Sequence, residues 1–269
     1  MKIHPSAVVE DGARLADDVE VGPGAIIGKD VQLGKGCVVR AHAVLTSRVI
    51  VGERNQIGYG CVIGSEPQDF AHNDSVTSEV RIGSGNIFRE YVTIHRGTKE
   101  GSATVVGNDN YLMAGSHLGH NVQVGNRIII ANNCLLGGYV EVYDNSVLGG
   151  GTVFHQFMRV GRCVMVRGGT RFGQDIPPYS IGDEDNVLAG INTIGLRRNG
   201  FSVETRKEIH RAFHLVFRSG YNISQALEKA RETEWGPEVR HFLEFITESK
   251  RGVCPSSQRK LRHVAEAAE

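Results

Sequence analysis

The feature that most limits how this chain can fold is a six-residue repeat. From Ile3 the sequence divides into eleven unbroken hexads, beginning IHPSAV VEDGAR LADDVE VGPGAI, and the phase resumes after residues 69–81 and again from Val106. All twenty-six hexads open with Val, Ile, Leu or Phe, and fourteen have glycine second. A period of six fits neither an α-helix, with about 3.6 residues per turn, nor the two-residue alternation of a strand. It fits a prism whose sides are short strands and whose corners are tight turns, with three hexads in each coil.

The hexads therefore predict a mainly β fold, a left-handed parallel β-helix of hexapeptide repeats. We expect the first residue of each hexad to point inward and the fifth to be small and buried. Cys37, Cys61 and Cys134 occupy fifth positions and are interpreted as small buried apolar residues. The β-helix is predicted to span residues 1–181, with inserted loops near 69–81 and 100–105.

The hexads stop near "IPPYSIGDEDN", and the sequence becomes helical. Residues 182–252 are predicted to form a linker and a small C-terminal α-helical domain of two or three helices. Ser202 can cap the first long helix, Ser224 can cap the next, and Pro237 suits the first turn of the last. Residues 253–269 are interpreted as a loosely held tail.

Composition narrows the function classes. Thirty basic residues balance thirty acidic ones, so no overall field favours nucleic acid or an anionic membrane. Five cysteines without a C-x-x-C pair indicate neither a disulfide framework nor a thiolate zinc site, and reduced thiols fit a cytoplasmic protein. Neither a signal peptide nor a membrane span is recognisable. We expect a cytoplasmic protein with no nucleic-acid partner and no membrane span.

The run "MAGSHLGHNVQVGN" contains two histidines three residues apart, His117 and His120. Residues eighteen apart stack on successive coils, about 4.8 Å from one another. His120 therefore stacks with Gly138 and Gln156 at one corner, and Gly119 and Gly137 stack with His155 beside them. We expect His120 to point outward, with the glycine above it leaving a gap in which a ligand can lie.

At these residues a family resemblance becomes specific. The hexads, "TIHRGT", "SHLGHNVQVGNRIIIANN", "VFHQF", "DIPPY" and "IGLRRNGFS" together resemble the UDP-N-acetylglucosamine O-acyltransferases that begin lipid A biosynthesis, from residue 3 to about residue 252. The resemblance implies a homotrimer with active sites between neighbouring β-helices. It implies transfer of a 3-hydroxyacyl group from acyl carrier protein to the 3-position of a UDP-amino sugar. The acyl-phosphopantetheine of the carrier is the donor substrate, and neither a cofactor nor a metal is expected.

The resemblance also implies roles for individual residues. His120 matches the general base, and an imidazole suits this task because it titrates near neutral pH. The backbone N–H of Gly138 matches the donor to the developing oxyanion. Gly168 resembles the position that limits acyl chain length, so its lack of a side chain implies a long acyl chain. The remaining matches to substrate-binding positions are Asp69, His95, His117, His155, Gln156, Asn192 and Arg198.

Three departures from the family pattern leave the acceptor open between a 3-hydroxyl and a 3-amino sugar. Ala71 stands where a lysine is usual, Tyr139 where a histidine is usual and Asn199 where a second arginine is common. Fewer charges near a diphosphate weaken charge-assisted contacts. The alternatives are an acyltransferase acting on a different UDP-sugar, one using acyl-CoA, and a noncatalytic trimeric paralogue. A zinc carbonic anhydrase is disfavoured because the spacing of His117 and His120 does not match its ligands.

A possible docking surface for acyl carrier protein lies in the first long helix. This predicted basic face is formed by Arg206, Lys207, Arg211 and Arg218. Because acyl carrier protein presents an acidic helix, such a face favours its approach.

Overall fold

The computed structural model describes residues 1–73 and 75–257. The strands of these residues wind into coils of three short strands each, and helices follow near the C-terminus. Each strand of the coils up to β27 pairs in parallel with a strand one coil away, as Lys2 does with Glu20 and His117 with Leu135. Three sheets result, and each is one side of the prism. The hexapeptide β-helix expected from the sequence is confirmed.

The strands are numbered along the chain and fall into sheets in rotation. The first sheet contains β1 (Lys2–Ile3), β4 (Glu20–Val21), β7 (Val38–Val39), β10 (Gln56–Ile57), β13 (Ile87–Phe88), β16 (Tyr111–Leu112), β19 (Ile129–Ile130), β22 (Val147–Leu148), β25 (Met165–Val166), β27 (Ser180–Gly182) and β28 (Leu188–Ile191). The second sheet contains β2 (Val8–Val9), β5 (Ile26–Ile27), β8 (Val44–Leu45), β11 (Val62–Ser65), β14 (Thr93–His95), β17 (His117–Leu118), β20 (Leu135–Leu136), β23 (Val153–Phe154) and β26 (Arg171–Phe172). The third sheet contains β3 (Arg14–Leu15), β6 (Gln32–Leu33), β9 (Arg48–Val51), β12 (Glu79–Ile82), β15 (Ala103–Val106), β18 (Gln123–Val124), β21 (Glu141–Val142) and β24 (Arg159–Val160).

The interior follows the hexad pattern. From Val21 to Phe172 the first residues of the hexads are at most 4% exposed, whereas Ile3 in the first coil is 40% exposed because no earlier coil covers it. Cys37, Cys61 and Cys134 are fully buried at fifth positions, as predicted. Both insertions are shorter than expected, since β12 begins at Glu79 and β15 at Ala103.

Polar residues interrupt this apolar interior in one column. Asn55, Asn86 and Asn110 lie buried on successive coils at the corner between the third and first sheets. The Asn86 backbone N–H and side-chain amide both donate to Asn55 Oδ1 at 2.9 Å, and the Asn110 backbone N–H donates to Asn86 Oδ1 at 2.9 Å. These bonds satisfy amides that would otherwise be costly to bury. We call this column the asparagine ladder.

The outward faces of the three sheets differ in polarity. In each short strand the residue before the inward one is more exposed, as in β4 and β20. From β13 to β25 the first sheet carries only apolar or aromatic residues there, namely Ile87, Tyr111, Ile129, Val147 and Met165. The second sheet carries Val8, Ile26, Val44, Val62, Thr93, His117, Leu135, Val153 and Arg171, whereas the third carries Arg14, Gln32, Ile50, Arg81, Val105, Gln123, Glu141 and Arg159. Apolar outward residues thus concentrate on the first two sheets.

The C-terminal helices agree with the sequence prediction except in their boundaries. The helices are α1 (Thr193–Arg198), α2 (Val203–Arg218), α3 (Ile223–Ala230) and α4 (Pro237–Thr247). Ser202 caps α2 and Pro237 begins α4, as predicted. The predicted cap at Ser224 is wrong, because Asn222 forms a capping box with Gln225. None of the helices of the described residues is long and apolar enough to cross a bilayer.

Two parts of the C-terminal region are more ordered than predicted. The expected linker contains β28, which pairs antiparallel with β27. The prediction of a loosely held tail is wrong for residues 253–257, because Val253 and Ser256 form bridges to the β-helix region and Cys254 is fully buried. Residues 258–269 of that predicted tail lie outside the described residues.

The helical domain is joined to the β-helix by a buried ion pair and its neighbours. Arg159 Nε lies 3.1 Å from Asp175 Oδ2, and Arg159 Nη2 donates to the Phe245 carbonyl at 2.8 Å. Asp175 is 1% exposed and also accepts from Ser249 Oγ at 2.8 Å. Because α4 supplies the Phe245 carbonyl, these contacts hold α4 against the last coils.

Candidate active site

The histidines of the central coils lie at one edge of the prism, where the chain passes from the second sheet to the third. His117 is the outward residue of β17, and His120 lies in the turn after it. The Tyr139 N–H donates to the His120 carbonyl and the Phe157 N–H to the Gly138 carbonyl, both at 2.9 Å. These bonds stack the turns at His120, Gly138 and Gln156 on successive coils, as the spacing predicted. We call this column the histidine edge.

The ring of His120 packs against Gly138. A Cβ added to Gly138 would lie 2.4 Å from His120 Cε1 and 2.5 Å from its Nε2, which is closer than real Cβ atoms approach their neighbours. The imidazole therefore lies directly against the glycine backbone. We expected a gap at Gly138 for a ligand, but the ring of His120 itself fills that space. Among the described residues, the Gly138 N–H donates no hydrogen bond, so it remains available to a substrate oxygen.

Asn121 determines which nitrogen of His120 carries the proton. Asn121 Oδ1 lies 3.2 Å from His120 Nδ1 and accepts from the Thr98 backbone N–H at 3.0 Å. A backbone N–H can only donate, so the atom facing it is the oxygen of the amide. His120 Nδ1 must then donate to this oxygen, which leaves the lone pair of Nε2 free. Asn121 is thus a functional residue that our sequence reasoning missed.

The sequence contained one signal for Asn121. It occupies a left-handed turn with φ of 60° and is 7% exposed. Asparagine tolerates this conformation better than most residues. Its backbone N–H donates to Thr104 Oγ1 at 2.8 Å, which fixes the turn beneath His120.

His95 and His117 lie beside one another, His117 on the coil of His120 and His95 on the coil before it. Their ring centroids are 5.1 Å apart, and His117 Nδ1 lies 2.8 Å from Thr93 Oγ1. Burial, reinforced by the nearby His95, lowers the pKa of His117 to about 4. His117 is therefore uncharged near neutral pH. His95 Nδ1 faces the Glu66 carbonyl and donates to it.

The first insertion lies over the coil that precedes His120. Arg96, which is 6% exposed and directly follows His95, donates to the Val76 carbonyl at 2.8 Å and to Ser78 Oγ at 3.0 Å. Asp69 lies on the exposed part of this loop, where its Oδ1 accepts from the Ala71 N–H at 2.9 Å. The loop is thus fastened next to the histidines, while Asp69 remains accessible.

Other residues expected at the site are placed differently in a single chain. His155 and Gln156 lie exposed on the coil beyond Gly138. Asn192 caps α1, accepting from the Gly195 N–H and donating to the Cys163 carbonyl, both at 2.9 Å, and Arg198 is exposed at the end of α1. Within the described residues no hydrogen bond joins α1 to the three histidines of the edge. Asn192 and Arg198 therefore form no hydrogen bond with the histidine edge within the described part of one chain.

Gly168 lies at a different edge, between the first and second sheets. It stacks on Gly150, and the second sheet separates it from the histidine edge. A Cβ at Gly168 would lie 2.9 Å from the Gly150 carbonyl oxygen, so a side chain there also presses on the backbone. The single chain does not bring Gly168 to His120.

The predicted basic face on α2 is smaller than expected. Arg211 lies over the Trp235 ring, and Arg218 lies over Phe213 while donating to the Ala189 carbonyl. Arg206 and Lys207 remain as its freer cations. Nowhere in residues 1–73 and 75–257 do three His, Cys, Asp or Glu side chains come together as metal ligands could.

Comparison with known proteins places this arrangement in a family. The family described as "Udp N-acetylglucosamine O-acyltransferase; Domain 2" matches residues 175–254, and "Bacterial transferase hexapeptide (six repeats)" matches residues 12–47 and 103–138. A curated relative from Syntrophobacter fumaroxidans, "Acyl-[acyl-carrier-protein]--UDP-N-acetylglucosamine O-acyltransferase", is 43% identical over 94% of this chain and 99% of its own.

Solved structures agree with the sequence matches. The UDP-N-acetylglucosamine acyltransferase from Campylobacter jejuni superposes with a TM-score of 0.88 at 35% identity, covering 94% of this chain and 99% of that one. The Francisella novicida enzyme gives 0.89 at 33% identity, covering 98% and 99%. This chain belongs to the UDP-N-acetylglucosamine O-acyltransferase family.

Proposed function

We propose that this chain transfers a 3-hydroxyacyl group from the phosphopantetheine thiol of acyl carrier protein to the 3-hydroxyl of UDP-N-acetylglucosamine, the first step of lipid A biosynthesis. The observation that carries the proposal is the free lone pair on His120 Nε2, next to an unpaired Gly138 N–H. Family membership and the names of the relatives support the choice of substrates.

The geometry supports the following reaction. The sugar hydroxyl attacks the thioester carbonyl carbon while His120 Nε2 takes the hydroxyl proton. Negative charge develops on the carbonyl oxygen, and the Gly138 N–H can donate to it. The carbon–sulfur bond then breaks, and His120 returns the proton to the leaving thiolate. His117 offers a hydrogen-bonding group beside these residues, and because burial lowers its pKa to about 4 it does not compete for the proton.

A homotrimer is part of the proposal, and the outward faces of the β-helix support it. The apolar residues of the first and second sheets would be covered by neighbouring copies, whereas the polar third sheet would face solvent. Neighbouring copies would also bring Asn192, Arg198 and Gly168 towards the histidine edge. The five free and buried cysteines fit the proposed location in the cytoplasm.

The reaction is tested by mass spectrometry of products from mixed acyl carrier protein thioesters, acyl-CoA thioesters and mixed UDP-sugars. We expect one dominant 3-O-acyl product made from acyl carrier protein. An N-acylated product would assign a 3-amino sugar as acceptor, and use of acyl-CoA alone would refute the proposed donor. His120→Ala should lower kcat by about 10²- to 10⁴-fold. His214→Ala, on the exposed face of α2, is the matched control.

Assembly is tested by charge on the second sheet. Leu135, which is 40% exposed, should lie in the subunit contact, so Leu135→Arg should yield inactive monomers. Gln32→Arg, on the outward face of the third sheet, should leave an active trimer. Sedimentation and turnover are measured together, and an active monomer would refute the proposed assembly.

A further inference from the structure

Tyr139 occupies a conformation that an aromatic residue seldom adopts. Its φ is 60°, in the left-handed region that disfavours bulky side chains, and Phe157 one coil later has φ of 66°. The two rings stack with centroids 4.8 Å apart and an interplanar angle of 13°. Neither ring has a part in the reaction described above, although both lie at the histidine edge. The same turn is left-handed on the preceding coil at Asn121, so this backbone belongs to the coil, and the role of Tyr139 lies in its contacts.

The hydroxyl of Tyr139 ends a chain of hydrogen bonds that leads to His120. Tyr139 Oη lies 2.9 Å from Thr98 Oγ1, and Thr98 Oγ1 lies 3.0 Å from Asn121 Oδ1. Asn121 Oδ1 can only accept, so the Thr98 hydroxyl donates to it. Thr98 has one hydroxyl proton, and Tyr139 must therefore donate its own proton to Thr98 Oγ1. We call the row of hydrogen bonds from Tyr139 through Thr98 to Asn121 the relay. Each donor in the relay points towards Asn121 Oδ1, which His120 Nδ1 also faces.

The ring of Tyr139 acts on His120 by a second route. The two rings meet edge-on, with centroids 5.3 Å apart at an interplanar angle of 84°. Beyond Tyr139 a groove opens on the third sheet, lined in part by Phe157 and Arg159. The Tyr139 ring, held by Phe157, stands between this groove and His120. It therefore restricts rotation of the imidazole away from the Gly138 backbone.

We propose that Tyr139 is a positioning residue for the general base, acting through Thr98 and Asn121 on the tautomer of His120 and through its ring on the orientation of His120. The role of His120 as a base rests on the proposed function, whereas the tautomer of His120 does not depend on that function. Because the Tyr139 hydroxyl donates to Thr98 Oγ1, the Thr98 proton is directed onto Asn121 Oδ1, and this holds the amide with its oxygen facing His120. With that oxygen as its partner, His120 Nδ1 keeps its proton and Nε2 stays ready to accept the substrate proton.

The kinetic test separates positioning from substrate binding. Tyr139→Phe removes only the hydroxyl, so we expect kcat to fall about three- to tenfold, as for loss of one buried hydrogen bond, with both KM values within about twofold. Thr98→Val should have a similar effect, and the double variant should be no worse than the stronger single one, because both break one relay. Tyr143→Phe, which removes a hydroxyl bonded to Glu141 outside the relay, is the matched control.

A second readout needs no turnover. Histidine labelled with ¹⁵N, with His120 assigned by comparison with His120→Gln, should show the Nδ1–H tautomer in the native protein and a mixture in Tyr139→Phe. An unchanged tautomer together with unchanged kcat in Tyr139→Phe would overturn the proposal, as would additive losses in the double variant. If the native protein failed to turn over but its tautomer depended on Tyr139, the relay would stand and the proposed reaction would fail.

Discussion

Replacing Gly138 by alanine should disable the enzyme without unfolding it. The added Cβ would lie 2.5 Å from His120 Nε2, whereas carbon and nitrogen in ordinary contact are about 3.5 Å apart. The imidazole must therefore move by about 1 Å. A displacement of about 1 Å in a reacting group can cost about a hundredfold in rate, which corresponds to about 2.7 kcal/mol in the activation free energy. Alanine keeps the backbone N–H, so the loss arises from the position of the ring.

The assay is steady-state acyl transfer combined with thermal unfolding. The fold should survive, because Gly138 does not occupy the left-handed region and the contacted atoms belong to the His120 side chain and not to the backbone. We expect the thermal midpoint to change by less than about 3 °C. Gly173→Ala is the matched control, since its Cβ would meet only Asn186 Oδ1, at 3.8 Å. A kcat of Gly138→Ala within threefold of the native value, or a crystal structure with His120 unmoved, would refute the reasoning.

Three further outcomes are expected. Gly168→Met should shift the donor preference to acyl chains several carbons shorter, and it should lower stability because its Cβ would lie 2.9 Å from the Gly150 carbonyl oxygen. An unaltered ratio of kcat/KM for long and short donors would show that Gly168 does not limit the length of the acyl chain. Burial lowers the pKa of His117 to about 4, against about 6.5 in the unfolded chain, so the free energy of unfolding should fall by roughly 1–3 kcal/mol as the pH decreases from 6.5 to 4. His117→Gln should flatten the corresponding pH dependence of the thermal midpoint. Reversing the charges of Arg206 and Lys207 should raise KM for acyl carrier protein and weaken its salt dependence, and unchanged values would assign them to ordinary surface.

The coils could be predicted from sequence because one rule decides every position. An apolar residue at the start of each hexad has only the interior of the prism to occupy, so Val21 and Phe172 obey the same argument. The cap of α3 could not be chosen as safely. Ser224 and Asn222 are both good capping residues, and the reciprocal bond to Gln225 that favours Asn222 depends on the exact start of the helix.

The position of His120 in the β-helix could also be predicted, because residues eighteen apart stack on successive coils. Its chemistry could not, because the tautomer depends on Thr98, which is twenty-three residues away from Asn121 and outside the eighteen-residue spacing. The inserted segment near residues 100–105 changes the count between these coils. For the same reason Tyr139 was recognised as a departure from the family pattern but not as a neighbour of Thr98, forty-one residues away.

The asparagine ladder has a consequence for how such a repetitive chain finds its pairing partners. A strand of any coil could slide to the next and still place one aliphatic side chain on another, so burial alone barely distinguishes the correct alignment from a slipped one. Asn55, Asn86 and Asn110 are separated by 31 and 24 residues, so the ladder spans the two places where inserted segments break the eighteen-residue count. A slipped alignment there would leave amides facing aliphatic groups without partners. The three asparagines thus favour one register of the coils. The loops beside them can therefore change in length while the coils above and below keep the same strand pairing.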